Sequence, residues 1–442
     1  MTAGSPVRLI LLFALPTLAG NLLQQLYNLV DSLIVGRLLG VTALAAVSAS
    51  GWLDWAVLSV LMGVAQGFSI DAAQAFGAGD HARLQRTAGQ SLLISAAVVV
   101  LMEAASQLLL APVLRWMRTP AETFRLTESY LRIIYCGLPV VMAVNGLNAF
   151  LYALGDSRTP LFALACSSFV NIALDWFFVG PCGFGTDGGA MATVAAQTVS
   201  ALISFLAVRR LAVLRPARKD LRPDRTVSLR LLRLGLPIAL QNVIISVGGL
   251  VLQGVVNGFG FIFMAGYNAA SRLQGLVEMA GSSLGNAVGT FTGQNIGAGR
   301  ISRVRQGLRS SARIGVGLAV TIGAAVALLA RPLLSLFIQD EPQLAEQVLS
   351  YGVQFLYFMA GGLPMLYLLF VYRSTLQGLG NTFIPMISGF VELAMRVGSA
   401  LLLPALFGVY GIYTAEIAAW AGAAVLLIIA CYRELRRFPD RS

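Results

Sequence analysis

GLPVVMAVNGLNAFLYALGDSRTP, residues 137–160, returns with the same skeleton at residues 362–385 as GLPMLYLLFVYRSTLQGLGNTFIP. Each copy opens on Gly-Leu-Pro, continues through a sparsely charged apolar stretch, and closes on Leu-Gly and two polar residues, with a proline three positions further on. Such a stretch suits a helix that crosses a bilayer, which needs about 20 mainly apolar residues. A proline inside it removes a backbone donor and bends or breaks the helix. Two such stretches at matched places imply a chain built twice.

Other segments repeat in the same order. Leu15-Pro16 followed by Asn21 matches Leu236-Pro237 followed by Asn242. Phe76-Gly77-Ala78-Gly79-Asp80 matches Ile296-Gly297-Ala298-Gly299-Arg300. Apolar runs fill the intervals and predict twelve spans: 9–36, 42–70, 86–112, 126–153, 159–181, 189–211, 231–258, 263–293, 305–330, 348–377, 382–406 and 409–432. Six spans per copy is an even number, so both copies run the same way through the membrane. An axis along the membrane normal should relate them, an arrangement common in transporters. The fold expected is an all-α polytopic membrane protein, twelve transmembrane helices in two pseudo-symmetric six-helix lobes. The lobes are expected at 1–215 and 216–442.

Composition agrees with a lipid solvent. Hydrophobic residues make up 57% and charged residues 12%, and mean hydropathy is +0.77. Soluble domains carry about 25% charged residues, and one soluble core cannot bury so much apolar surface. Backbone groups in lipid must bond internally, which selects helices. The first apolar run continues past Pro16 to about Val35, too long for a signal peptide. The net charge of +11 could suggest nucleic acid, but its distribution does not. Nine basic residues fall in the loop 209–233, and Arg300, Arg303, Arg305, Arg309, Arg433, Arg436, Arg437 and Arg441 fall on the same predicted side. The opposite side holds Arg37, Arg115, Arg118, Arg125 and Arg331. By the positive-inside rule both termini should be cytoplasmic, in a multi-pass inner (cytoplasmic) membrane protein. Membrane lipids are expected partners, and the basic tail could hold acidic ones. The chain is expected to act as a monomer and to bind no nucleic acid.

Cys136, Cys166, Cys182 and Cys431 are scattered, and His81 is the single histidine. A Cys/His metal centre is not expected. No nucleophile–base set is evident either, which argues against an enzyme, and no cofactor is expected.

Chemistry is therefore sought among ionisable residues inside spans, where they are costly. Asp31, Asp54, Glu103, Asp175, Glu278, Glu392 and Glu416 outnumber Arg396, with Arg272 and Arg373 near span ends. A cavity lined by carboxylates attracts organic cations and can carry protons or sodium. Asn171 and Asp175 lie four apart on one helix face, and Asp31 should reach a similar depth. With Thr193 they offer two carboxylates, an amide and a hydroxyl, oxygen ligands suited to a hard cation such as Na⁺. Two neighbouring carboxylates can instead share one proton. The plainer reading is a polar network that joins helices. Asp54 stands between Trp52 and Trp55 near mid-membrane; with Glu278 these are candidate substrate-cavity residues. Aromatic faces beside a carboxylate can seat an organic cation, while a purely structural partnership stays open. Glu392 and Arg396, four apart, are expected to pair with each other. Asp80, His81 and Asp156 are expected in solvated loops.

These residues resemble the multidrug and toxic compound extrusion (MATE) family over essentially the whole chain. The match rests on the two six-span halves, on Asp31 within Leu29-Val30-Asp31-Ser32-Leu33-Ile34-Val35-Gly36, and on Gly77-Ala78-Gly79-Asp80. Gln294-Asn295-Ile296-Gly297-Ala298-Gly299 and Asn171-Ile172-Ala173-Leu174-Asp175 complete it. The resemblance implies an antiporter that exports small organic, cationic compounds in exchange for H⁺ or Na⁺. It implies ion coupling at Asp31, Asn171, Asp175 and Thr193, a contribution from Asn145 or Asn148, and a hinge at Pro16. One family branch also uses acids in spans 7 and 10; this chain has none there. A lipid-linked glycan flippase of the same wider superfamily is the alternative, although such flippases tend to have more spans and a basic cavity.

Overall fold

A computed structural model describes residues 1–338 and 342–438. The side chains at 41, 44, 45, 48–50, 52 and 342 lie outside the described set. The helices in order are α1 (Pro6–Leu39), α2 (Val41–Gly77), α3 (His81–Trp116), α4 (Ala121–Cys136), α5 (Leu138–Leu154), α6 (Arg158–Val179), α7 (Gly185–Arg210), α8 (Arg225–Asn257), α9 (Phe261–Gly297), α10 (Ile301–Ser335), α11 (Pro342–Gly378), α12 (Phe383–Leu402), α13 (Pro404–Phe407) and α14 (Val409–Arg436). No strand occurs among the described residues. Ten segments are each long and apolar enough to cross a membrane, and α12 with α13 counts as one of them. The bent pair α4–α5 is another. The twelfth, α9, falls outside that apolar set; its 37 residues are long enough to cross and include Arg272 and Glu278. The chain is thus an all-α membrane protein of twelve spans, six on each side of the arginine-rich linker.

The prolines act unequally. In the first copy the helix breaks at Gly137, and α4 and α5 meet at 48°. Pro139 falls in the first turn of α5, where its missing N–H costs little. Its counterpart Pro364 lies inside an unbroken α11, and Pro16 and Pro237 lie inside α1 and α8.

The duplication reaches into the turns. After α2 and after α9 the chain turns through Gly79 and Gly299, both at φ 69°. Asp80 N–H donates to the Ala75 carbonyl at 3.0 Å, and Arg300 N–H to that of Asn295 at 2.8 Å. Gly155 and Gly380 close α5 and α11 at φ 92° and 90°. Glycine takes this left-handed conformation without steric penalty, which closes the helix end. Of three residues expected in loops, Asp80 and Asp156 stand in the short loops before α3 and α6, and His81 does not. Asp80 caps α3 by accepting Arg83 N–H, and His81 is the first residue of α3. Asp156 accepts the N–H groups of Arg158 and Thr159. Such caps satisfy the orphan donors of a first turn.

Two compact units form: Leu15–Ala239, and Leu240–Ser442 together with Met1–Ala14. In the first, α2 packs against α3, α4 and α5, and α6 lies along α7. Its core includes Leu61, Phe68, Leu84, Leu131, Leu138 and Met142. The first turns of α8 cross α2 at glycine: a Cβ on Gly67 would stand 2.6 Å from the Gly235 nitrogen. Such close approach is a common basis for helix association in lipid. In the second unit α11 packs against α9, α10 and α14, and α12 along α14. Large apolar side chains such as Leu108, Phe169 and Leu328 remain exposed on these helices, as lipid-facing surface requires.

Candidate coupling and substrate sites

Asp31 on α1 and Asp175 on α6 face each other within hydrogen-bonding reach. As two carboxylates neither can donate, and neither oxygen of Asp175 meets a donor among the described residues. Asn171, one turn before Asp175, is buried, and its amide oxygen and nitrogen both lack a partner among the described residues. Buried polar atoms left bare are rare and costly. Asn171 and Asp175 share one helix face, and Asp31 stands against Asp175. On α7, Gly189 lies beside the pair; its Cβ position is 3.9 Å from Asp175 Oδ1 and 4.0 Å from Val35. Thr193 is half-buried one turn further along α7.

Two tyrosines that the sequence reading passed over complete this environment. Tyr27 precedes Asp31 by four residues on α1, and Tyr130 comes from α4. Both lie in the electrostatic field of Asp31, Asp175 and Asp54. A four-residue spacing to Asp31 was the available signal for Tyr27; nothing local marks Tyr130.

Asp54, on α2, keeps one carboxylate oxygen buried and without a donor among the described residues. Its neighbours include Tyr135 as well as Tyr27 and Tyr130. Trp55 is 49% exposed, and the Trp52 side chain lies outside the described residues. The span-4 asparagines each make one described side-chain bond. Asn145 donates to the Val141 carbonyl of its own helix at 2.9 Å. Asn148 accepts the Ser204 hydroxyl at 3.0 Å and so joins α5 to α7.

The second unit carries its own buried ionic cluster, and one expected pair is exchanged. Glu392 pairs with Arg373 of α11. Arg396 pairs with Glu416 of α14 at 2.9 Å. A bond between Glu392 and Arg396 alone would have left Arg373 and Glu416 as lone charges inside the membrane; the exchange gives all four a partner. Glu278 of α9 accepts a hydrogen bond from Gln274 at 2.7 Å. It stands near Arg396, Glu392 and Glu416, and both arginines are already paired. Tyr267 adjoins this cluster and belongs to an aromatic group with Phe263, Phe355 and Tyr413.

The family profile described as MatE matches residues 16–177 and again 237–401. The chain belongs to the MatE family. The double match follows the internal repeat, one hit for each six-span half. A probable multidrug resistance protein of Bacillus subtilis, YoeA, is 30% identical over 92% of this chain and 84% of its own length. An FAD transporter of Shewanella oneidensis is 25% identical over 78% of this chain and 77% of its own. A solved structure, a MATE protein in complex with MaL6, shares the fold at a TM-score of 0.92. It has 24% identity and covers 98% of this chain and 97% of its own. Relatives of this MatE chain thus include multidrug efflux transporters, and the chain is a multi-pass membrane transporter by family.

Proposed function

We propose that this MatE protein is an antiporter that exports organic cations in exchange for H⁺ or Na⁺, with coupling at Asp31 and Asp175. One observation carries the reading: two carboxylates face each other one turn from Asn171, and the polar atoms of Asn171 and Asp175 have no donor or acceptor among the described residues. A shared proton removes the repulsion between the acids. A sodium ion does the same and uses the Asn171 oxygen as a further ligand. Thr193 supplies a hydroxyl from α7. Pro16, which leaves the backbone of α1 one bond short, is the hinge through which occupancy of Asp31 alters that helix. Transport into inverted vesicles under separate proton and sodium gradients tests the reading. Export driven by neither gradient refutes it.

Substrate binds at Asp54 on this reading. Its bare oxygen, the tyrosines around it and the exposed Trp55 offer ion pairing together with aromatic faces. Tyr27 and Tyr130 sense Asp54 and the Asp31–Asp175 pair alike, so cargo and coupling ion compete for one acidic field. The dinucleotide named for the Shewanella relative carries phosphates, which three carboxylates repel. Asp54→Asn is expected to weaken binding of cationic compounds while neutral ones are still exported. Binding titrations beside transport assays decide this; equal loss for both classes, or loss for neither, excludes the assignment.

The direction of export follows from topology. With both termini cytoplasmic, the linker 209–233 faces the cytoplasm. A cysteine at Arg218 should resist membrane-impermeant thiol reagents in intact cells and react in inverted vesicles. Labelling of intact cells would reverse the orientation.

A further inference from the structure

Arg305, Arg309 and Arg313 follow one another at four-residue intervals on α10 and, with Ser302, Gln306 and Ser310, line one groove. Arg305 is committed: it donates to the carbonyls of Leu435 and Phe438 at the end of α14, at 3.2 and 2.9 Å. Arg309 and Arg313 are exposed. Neither has an acidic partner among the described ion pairs. At Arg313 this groove meets a second, lined by Ala312, Val316, Gly317 and Leu368 besides Arg313 itself. The second groove is apolar, and nothing lies within 4 Å of a Cβ placed on Gly317.

Depth fixes what such a pair of grooves can hold. From Ile314 to Ala330 α10 carries no charge, and Arg331 follows. At about 1.5 Å per residue this stretch spans roughly 25 Å, close to the hydrocarbon core of a bilayer. Arg313 therefore stands at the headgroup level, Arg309 and Arg305 further out, and Val316 and Gly317 just inside the acyl region. The other lobe does not repeat the feature. The repeat places Gly89 at the position of Arg309, and there the Asp220 backbone covers α3 so closely that a Cβ on Gly89 would meet the Asp220 carbonyl at 2.3 Å. The linker occupies that face, whereas arginines occupy this one.

We propose that this face of α10 is a binding site for an anionic phospholipid. Its phosphate lies between Arg309 and Arg313, and one acyl chain runs along Val316, Gly317 and Leu368. Guanidinium groups bind phosphate with directed, charge-assisted hydrogen bonds, and a chain in the adjoining groove adds apolar burial that a free phosphate lacks.

Native mass spectrometry of the purified full chain tests this, with phosphatidylglycerol, phosphatidylcholine and glycerol 3-phosphate as separate probes. The wild type is expected to retain phosphatidylglycerol over phosphatidylcholine. Arg309→Gln with Arg313→Gln removes two surface charges and is expected to lower that retention roughly 30-fold. Gly317→Leu fills the tail groove without altering charge, and is expected to weaken phosphatidylglycerol as well. Equal retention of the two lipids by the wild type overturns the proposal, as does an arginine double variant that binds like the wild type. Unchanged lipid binding by Gly317→Leu, with glycerol 3-phosphate held as well as phosphatidylglycerol, would reduce the site to a phosphate patch.

Discussion

Asp31→Asn is expected to leave the protein in the membrane at its normal level and to reduce gradient-driven export to background. The substitution is chosen for what it keeps. An asparagine at this position is close in volume to the aspartate and brings an NH₂ donor to Asp175, whose oxygens meet no donor among the described residues. If the pair serves only to hold α1 against α6, the variant should be as stable as the wild type or more so. A helix-joining hydrogen bond in a membrane is worth about 0.6 kcal/mol. If the pair carries the coupling ion, the variant loses one of two titratable sites, and the remaining carboxylate has its charge answered by a fixed amide. Substrate binding at Asp54 should survive, because that oxygen is not part of the exchange. The measurement is substrate efflux from vesicles under an imposed gradient, with membrane content quantified in parallel and substrate affinity measured in detergent. Efflux near the wild-type rate would place coupling elsewhere in the chain.

How much of this was legible beforehand differs between the fold and the site. The lobes could be read because duplication and apolar length are properties of long windows, in which single errors average out. The turn glycines Gly79 and Gly299 repeat because a helix end needs the same left-handed residue in both copies. The candidate site was legible where partners share a helix, as Asn171 with Asp175 and Tyr27 with Asp31 do, and where matched depth brought Asp31 level with Asp175. Partners on different helices leave no trace in spacing. Tyr130 approaches from α4, and the buried Asp71 is held by Arg83 and Thr87 of α3 with Arg230 at 3.9 Å. Local spacing misled at Glu392 and Arg396, where a permitted i,i+4 pair gave way to two pairs between helices. Asp80 and Asp156 stand in loops as read, and Asp80 is exposed, but the capping that both carry out shows only in the turn geometry.

That exchange of partners sets the second large effect. Arg373 and Glu392 are both buried, at 9% and 3% exposure, and join α11 to α12. Glu392→Gln should remove the negative charge and leave Arg373 facing an amide and the Ser388 hydroxyl at 3.5 Å. Removing one partner of a buried pair costs about 3–5 kcal/mol, because the other charge stays desolvated and uncompensated. At about 2–4 °C per kcal/mol for a unit of roughly 200 residues, the melting temperature should fall by roughly 10 °C. The exposed pair of Arg331 and Glu346, at 2.7 Å, serves as the internal control. Breaking it should change the melting temperature little, since surface pairs contribute at most about 1 kcal/mol. The decisive construction removes both buried charges: Arg373→Met with Glu392→Met should recover most of the loss, because neither charge then needs a partner. Recovery in the double variant together with normal export would make this pair a structural brace. Recovered stability with lost export would place Arg373 and Glu392 in the transport cycle, beside Glu278.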